Sequence, residues 1–297
     1  MERGLSFDRL RSLVEVGQAG SIAKAVHGDG VRQSQYSRQM KELEEFFGVE
    51  LTRKRGKVLV LTTAGRELAR MATETFSAFE NFRTESRNIP RRFTLGAGDS
   101  LHYWIVTPIW EAAVKEQKPW LFAMENLRNN EVATKLLDMS LDIGVLRRSA
   151  IVSDVLKWKP LIRLGYAFYI PRELVKKGKG TDLEWLIDNV PLATLAYDSS
   201  FYVMLENCCA GAKIKLEVAF KTASFPFAQH LLKTRQCMAV LPEICERNLD
   251  KSFIKIQPPA FKKLERDIVL AWNPRLAAVR PAARAVIDFF AEKIKVI

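Results

Sequence analysis

The spacing of apolar residues changes character near Ile89 and Pro90, and this change constrains the fold more than any other feature of the chain. Before it, apolar residues recur every three or four positions, the period of helices that bury one face. After it, short apolar runs alternate with helical patterns, which predicts a parallel or mixed sheet with helices on both faces. Proline ends helices because it lacks a backbone donor, so the sequence places a linker here. The 297 residues therefore predict at least two structural units.

Three helices are predicted in the part of the chain before Gly48. The first begins behind Ser6, a good N-cap, and a short second helix begins behind Ser21. The turn Gly28-Asp29-Gly30 separates the second helix from the third. The apolar face of the third helix consists of Tyr36, Met40, Leu43, Phe46 and Phe47.

The opposite face of the third helix is polar and suits contact with base pairs. Gln pairs bidentately with adenine, Arg pairs with guanine, and Ser contacts base edges or phosphate. Two short helices, a turn and such a third helix are typical of a helix-turn-helix. The same pattern also fits a small structural domain with a solvated face. The candidate DNA contacts on this helix are Gln33, Ser34, Gln35, Ser37, Arg38 and Lys41.

A basic hairpin follows the third helix. The β-prone runs 49–51 and 57–61 flank a cluster of basic residues, which predicts a wing beside the helix. A wing sets such charges against phosphates or a minor groove, whereas the alternative is a solvated turn. The hairpin favours the DNA-binding hypothesis, and its candidate contacts are Arg53, Lys54, Arg55 and Lys57.

A long helix is predicted over 66–88, with a continuous apolar seam. The seam needs a partner, either the core of its own domain or a second copy of the chain. Because helix-turn-helix proteins read two half-sites as dimers, we expect self-association. The seam consists of Leu68, Met71, Thr75, Ala78 and Phe82, with Phe76 and Phe79 beside it.

Together these residues resemble the N-terminus of LysR-type transcriptional regulators. The similarity runs without insertion through the strings 19–26 (AGSIAKAV), 33–44 (QSQYSRQMKELE), 47–51 (FGVEL) and 61–65 (LTTAG). Asp29 and Thr52 depart from the family pattern, which has apolar residues at both positions, and we expect a remodelled turn that leaves Asp29 exposed.

The resemblance implies an α+β protein of three parts. These are a winged helix-turn-helix DNA-binding domain at 1–65, a linker and dimerisation helix at 66–90, and a two-lobed α/β effector-binding domain at 91–297 built like a periplasmic binding protein. Lobe one would comprise 91–164 plus 266–297, and lobe two 165–265. Patterning predicts strands at 93–96, 120–125, 141–146, 164–170, 192–196, 214–220, 237–241 and 267–272, and helices at 100–116, 129–139, 199–209, 226–233 and 280–293.

Ligands of such folds bind at strand ends and helix N-termini in the cleft. Ser100 matches a hydroxyl position that many family members use for carboxylate effectors, but it is equally well placed to be a plain N-cap. His102 is more simply a packed or surface residue. The candidate effector-binding residues are Gly98, Asp99, Ser100, His102, Asp198, Ser199, Thr222 and Ser224.

The net charge of +12 divides into +3 over residues 1–90 and +9 over residues 91–297. The excess in the second part favours an anionic effector, or serves only solubility. Because two candidate effector residues are acidic, an anion would need a basic group beside it. The candidates, each more simply explained by a structural role, are Arg128, Arg147, Arg148 and Arg235.

The remaining expectations concern chemistry and location. All four cysteines fall in lobe two without zinc spacing, so buried thiols are the default. A thiol switch, as in peroxide-sensing family members, and a two-lobed solute-binding protein are the alternatives. No metal, cofactor or catalytic motif is recognised, so we expect no enzyme. The expected partners are double-stranded DNA, a small-molecule effector and further copies, as homodimer and homotetramer. No signal peptide or membrane span is found, so we expect a cytoplasmic protein.

Overall fold

The computed structural model describes residues 5–56, 58–86, 91–175, 182–196 and 200–294. Three candidate site residues, Lys57, Asp198 and Ser199, lie outside the described residues. In the described part of the chain, no helix combines the length and apolar composition that crossing a membrane requires.

The N-terminal unit contains the three predicted helices, a hairpin and the long helix. Ser6 and Ser21 cap the first two helices through their side-chain oxygens, as predicted. Leu13 and Leu43 are fully buried where the first and third helices meet. The elements are α1 Phe7–Ala19, α2 Ile22–Ala25, α3 Gly30–Phe47, β1 Thr52–Arg55, β2 Val58–Leu61 and α4 Thr63–Ser86.

The hairpin starts later than the sequence predicts. The expected strand at 49–51 is wrong, because pairing with β2 starts only at Thr52, and the backbone N–H of Leu51 donates instead to a carboxylate oxygen of Glu44, at 2.8 Å. The long helix starts earlier, at Thr63, behind the Thr62 hydroxyl that accepts the N–H of Gly65 at 3.0 Å. A Cβ at Gly65 would lie 2.1 Å from the carbonyl oxygen of Leu51, so glycine is needed where α4 crosses the hairpin.

The rest of the chain forms two mixed five-stranded sheets. Sheet one has the order β4-β3-β5-β12-β6. In it β3 is parallel to β4 and β5, whereas β12 is antiparallel to β5 and β6. Its strands are β3 Arg91–Ala97, β4 Trp120–Asn126, β5 Ile143–Arg147, β6 Lys157–Leu164 and β12 Arg266–Trp272.

Sheet two has the order β11-β7-β10-β8-β9, with β8 parallel to β9 and β10 and with β7 antiparallel to its neighbours. The chain enters this sheet after β6 and returns to sheet one at β12, so two crossings join the sheets. Its strands are β7 Tyr166–Pro171, β8 Leu192–Leu195, β9 Phe220–Thr222, β10 Met238–Pro242 and β11 Phe253–Ile256.

Helices flank both sheets. The predicted helix at 100–116 is three consecutive segments, because a π-helical turn at His102–Val106 lies between α5 and α6. The helices are α5 Asp99–Leu101, α6 Thr107–Lys115, α7 Asn129–Leu137, α8 Leu183–Asn189, α9 Ser200–Gly211, α10 Phe225–Lys233, α11 Arg275–Val279 and α12 Ala282–Lys293.

Sequence patterning misplaced some elements of the sheets. The strand predicted at 214–220 is wrong: its alternate apolar side chains pack on the core, but strand pairing begins only at Phe220. The edge strand β6 was missed because it contains Pro160, which a sheet accommodates only at an edge or a bulge. The short elements α8 and β11 were missed as well.

Candidate DNA and effector sites

The two faces of α3 differ sharply in exposure. Tyr36, Met40 and Leu43 are buried against the rest of the N-terminal unit. The opposite face is open to solvent over more than two helical turns. Its exposed members are Gln33, Ser34, Gln35, Arg38 and Lys41, and Ser37 is half-buried at its margin.

The turn before α3 is built by Asp29. This residue is exposed, as expected, and its carboxylate accepts the N–H groups of Val31 at 2.9 Å and Arg32 at 3.2 Å. It is therefore the N-cap of the helix, which explains how an acidic residue replaces an apolar one here without being buried unpaired. The cap fixes the start of α3 at Gly30.

The hairpin carries its basic residues on an exposed ribbon. Arg53, Lys54 and Arg55 are all exposed on β1. Gly56 turns the chain with a φ of 63°, a left-handed conformation that glycine adopts without strain. The hairpin thus presents three positive charges in a row beside the helical part of the unit.

The apolar residues of α4 lie on two sides, one packed on the core of the N-terminal unit and one exposed. Ala69 is buried in the core of the N-terminal unit. On the outer side Met71, Phe79 and Phe82 are 51%, 55% and 73% exposed. Phe7 lies against Phe79, with ring centroids 5.5 Å apart, and is itself 53% exposed. We name the three phenylalanines Phe7, Phe79 and Phe82 the aromatic strip.

The helix α5, which follows β3, is capped by a different residue from the one that the sequence suggested. Gly98 is the N-cap of α5, so the capping role for Ser100 is wrong, and Ser100 lies half-buried in the first turn. Asp99 is exposed. The Nε2–H of His102 donates to the carbonyl oxygen of Glu125 at 2.9 Å, so its ring is packed against β4. Its Nδ1 is buried and has no hydrogen-bond partner among the described residues.

Two candidate effector residues beside the second sheet already form hydrogen bonds within the protein. Thr222 is only 2% exposed, and its hydroxyl lies 3.1 Å from the carbonyl oxygen of Thr194 and 3.0 Å from that of Ser224. Ser224 is the N-cap of α10, accepting the N–H of Phe227. These bonds place both residues at a strand end and a helix start, with the Thr222 hydroxyl turned inward.

Three of the four candidate arginines are placed in local structural roles. Arg235 pairs with Glu173 at 2.6 Å, and Arg148 stacks on Trp158 at 4.7 Å from the ring centroid. Arg128 is exposed, and its backbone N–H is bound by Glu131 at the start of α7. The fourth, Arg147, ends β5 of sheet one and reaches across to α9 beside sheet two.

Arg147 and Arg266 form a paired basic site between the sheets, which we name the arginine pair. Arg147 donates to the Ser200 hydroxyl at the start of α9, 3.3 Å away, and Arg266 contacts the sulfur of Met204 on the same helix. Burial, and next the positive charge of Arg147, lower the pKa of the Arg266 guanidinium. Among the described residues, no carboxylate lies within 4 Å of either guanidinium.

Sequence reasoning missed Arg266 at this place. Arg266 starts a strand and carries no motif, so no local pattern distinguishes it from other surface arginines. It reaches Arg147 because β12 runs antiparallel to β5, with Ile268 opposite Arg147. Only the pairing of these distant strands could reveal the arginine pair.

Comparison with known families agrees with this architecture. Residues 7–66 match the model described as bacterial regulatory helix-turn-helix protein, lysR family, and residues 86–295 match the LysR substrate binding domain. The chain belongs to the LysR family of bacterial transcriptional regulators. The helix-turn-helix match decides against a solute-binding protein, and the family is one of transcriptional regulators.

Solved LysR-family structures share the fold along the whole chain. A full-length OxyR variant from Pseudomonas aeruginosa is 16% identical, with a TM-score of 0.63, and the match covers 98% of this chain and 95% of that one. DarR from Vibrio fischeri in complex with DNA is 16% identical over 98% of this chain and 99% of that one, with a TM-score of 0.53. CbnR complexed with its target DNA is 17% identical over 98% and 100%, with a TM-score of 0.52. No curated protein sequence matches.

The cysteines of this LysR-family regulator are set in apolar surroundings. Cys208, Cys209, Cys237 and Cys245 are buried free thiols. Burial raises the pKa of Cys237 to about 11, and burial is also the main cause that raises the pKa of Cys209 and of Cys245 to about 12. Because the thiolate is the reactive form, this environment disfavours the thiol-switch alternative.

Proposed function

We propose that this LysR-type regulator reads DNA through the exposed face of α3 and the β1–β2 wing. The observation that carries the proposal is the exposure of Gln33, Gln35 and Arg38 on a helix whose other face is buried. A helix held by its apolar side offers its polar side chains to a major groove. The basic ribbon of the wing would lie against phosphates and fix the position of the helix.

We further propose a homodimer, and a homotetramer built from it, formed in part through the aromatic strip. Monomeric surfaces seldom carry contiguous exposed aromatics of this kind. The strip lies mostly on α4, with Phe7 of α1 against Phe79, so pairing of two copies would bring together two winged helices for two half-sites. We place this DNA-binding protein in the bacterial cytoplasm.

The proposed division of the chain is 1–65, 66–90 and 91–297, the last as lobe one, 91–164 plus 266–297, and lobe two, 165–265. It is supported by the composition of the two sheets, since the strands of sheet two all lie between Tyr166 and Ile256. The chain crosses between the sheets at Leu164 to Tyr166 and again before Arg266.

The proposed effector is a small anion, a carboxylate or phosphate, held between the lobes by the arginine pair and Ser200. Two guanidinium groups close together in a partly buried site repel each other, and an anion would relieve that repulsion. Arginine also binds carboxylate and phosphate bidentately. The wall of this anion site would be completed by residues of the loop after β3, namely Gly98, Asp99, Ser100 and His102. Effector binding would shift the population of lobe arrangements and so the spacing of the winged helices.

The test of DNA reading uses the full-length protein and a duplex selected by the wild type from a randomised pool. Arg38→Ala should weaken binding to the selected duplex by about tenfold to a hundredfold, the cost of losing one bidentate base contact. Lys54→Ala should weaken the selected and random duplexes equally, because it removes a phosphate contact, and should reduce the salt slope by about one.

The matched control is Arg83→Ala, which removes an exposed arginine in the last turn of α4. It should leave the preference for the selected duplex unchanged. If wild-type protein selects no sequence from the pool, or if Arg38→Ala binds as Arg83→Ala does, α3 is not the reading helix.

A further inference from the structure

A carboxylate on α3 forms an ion pair with the exposed side chain of Arg38. One oxygen of Glu42 accepts the Nε–H of Arg38 at 3.1 Å, one helical turn away. Its other oxygen accepts the Nε–H of Arg9 on α1. The Arg38 side chain is 81% exposed, whereas those of Glu42 and Arg9 are 25% and 26% exposed. These residues line a groove of about 600 Å³ between α1 and α3.

The bond to Arg9 distinguishes this arrangement from an ordinary surface ion pair. An isolated exposed pair contributes little because two long side chains must be ordered to form it. Here Glu42 is already fixed by a second helix, and the Arg9 hydrogen bond holds the pKa of its carboxyl below the ordinary value. The carboxylate is thus charged and stationary before Arg38 binds to it.

The contact leaves the recognition end of Arg38 available. Glu42 accepts only from Nε, and among the described residues no hydrogen bond involves the two Nη groups of Arg38. Those Nη donors form the fork that pairs with guanine O6 and N7 or with phosphate. The pair adds little to helix stability, because an acidic residue four positions after a basic one is the less favourable order.

We propose that Glu42 is a positioning residue that sets the sequence specificity of Arg38. This inference rests on the proposed function of α3 in reading DNA. The carboxylate fixes the plane of the guanidinium, so the arginine meets a base edge without first losing side-chain freedom. Its negative charge also repels phosphate, which weakens binding that depends on the backbone alone. Glu42 thus lowers affinity for random DNA and favours the correct sequence.

The test compares Glu42→Gln with wild type on the selected duplex and on a random duplex of the same length. Glu42→Gln should bind the random duplex more tightly and lose about tenfold in the ratio of selected to random affinity, the lower end of what one base contact contributes. It should also relax base preference at the same position in each half-site that Arg38→Ala relaxes. A role in folding alone would move neither readout.

The control is Glu45→Gln, which makes the same charge change at an exposed position on α3. It should leave the ratio and the base preference unchanged. A second variant, Arg9→Met, keeps the charge of Glu42 but removes its anchor, and should lower the ratio as well, so the proposal stays testable if Glu42→Gln folds poorly.

The outcomes separate this inference from the proposed function. If Arg38→Ala loses specificity while Glu42→Gln and Arg9→Met behave as Glu45→Gln does, the positioning role is wrong and DNA reading by α3 stands. If Arg38→Ala itself has no effect, Arg38 reads no base and both ideas fail together.

Discussion

Arg147 donates a hydrogen bond to the hydroxyl of Ser200 across the gap between the two sheets, at 3.3 Å. Arg147 ends β5 of sheet one, and Ser200 begins α9 beside sheet two. Arg147 therefore joins the two halves of the effector domain at a place where its positive charge lacks a carboxylate partner among the described residues. A ligand that replaced Ser200 as the partner of Arg147 would contact both halves at once.

The first prediction concerns the arginine pair. In a thermal-shift panel of benzoate, citrate and inorganic phosphate, at least one anion should raise the unfolding temperature of the wild type, because a ligand of the folded state stabilises it. Arg147→Gln and Arg266→Gln should each weaken the binding of that anion by about tenfold or more, through the loss of a charge-assisted hydrogen bond.

Lys115→Gln is the control, since it removes an exposed positive charge at the end of α6. It should keep the full shift. Anion binding that is equal in wild type, Arg147→Gln and Arg266→Gln would place the anion elsewhere.

The second prediction concerns the aromatic strip. The double variant Phe79→Glu and Phe82→Glu should lower the mass measured by light scattering from that of an oligomer towards that of smaller species. Burying carboxylates in an apolar interface is strongly unfavourable, and both positions are exposed in the single chain, so the fold should survive. Circular dichroism should confirm that helix content is kept.

Val152→Glu is the matched control, because Val152 is an apolar residue that is 91% exposed on a loop of the effector domain. The mass should not change in this variant. An unchanged mass in the Phe79 and Phe82 double variant would show that copies associate through another surface.

The third prediction concerns the thiols and follows from their raised pKa values. A thiol whose folded-state pKa is about 11 or 12 is almost wholly protonated at pH 8, so peroxide and iodoacetamide should modify Cys209, Cys237 and Cys245 slowly. In denaturant the pKa returns to about 8.5, and modification should be fast. Mass spectrometry of both states checks this.

A Cys–Cys linkage formed in the folded protein under mild peroxide would revive the thiol-switch alternative. Raising the pH of the folded protein towards the values given above should increase the rate of alkylation, because more thiolate forms. A rate that is already maximal at pH 8 would contradict the burial argument.

The fourth prediction concerns a buried ion pair that fastens the C-terminal segment to sheet one. Asp142 accepts from Arg280 at 2.6 Å and from the backbone N–H of Thr94 at 2.7 Å, and it is 8% exposed. Asp142→Asn leaves a largely buried guanidinium without its anion and should lower the free energy of unfolding by about 3 kcal/mol. Urea unfolding measures the loss.

Asp188→Asn is the control, since Asp188 is exposed on α8, and its effect should stay within about 0.5 kcal/mol. Equal urea midpoints for Asp142→Asn and wild type would mean that Asp142 contributes no more to the free energy of unfolding than a surface carboxylate does.

Local patterns in the sequence determined the N-terminal unit almost completely. Ser6, Ser21 and the apolar stripe of α3 specify helices through caps and periodicity, which act within a few residues. The same locality explains why Asp29 could be expected on the surface. For these elements the neighbouring residues supply most of the information, so the fold and the exposed face of α3 follow from the sequence.

Tertiary structure decided whatever depends on partners far apart in the chain. No strand forms at 49–51 because pairing with β2 starts only at Thr52, and the backbone N–H of Leu51 donates to Glu44 instead. The strand that contains Pro160 exists because it lies at a sheet edge. The arginine pair exists because β12 returns to lie beside β5, and the Glu42 contact with Arg9 because α1 packs beside α3. Neither placement is encoded by local propensity, since both arise from burial of apolar faces across the whole fold.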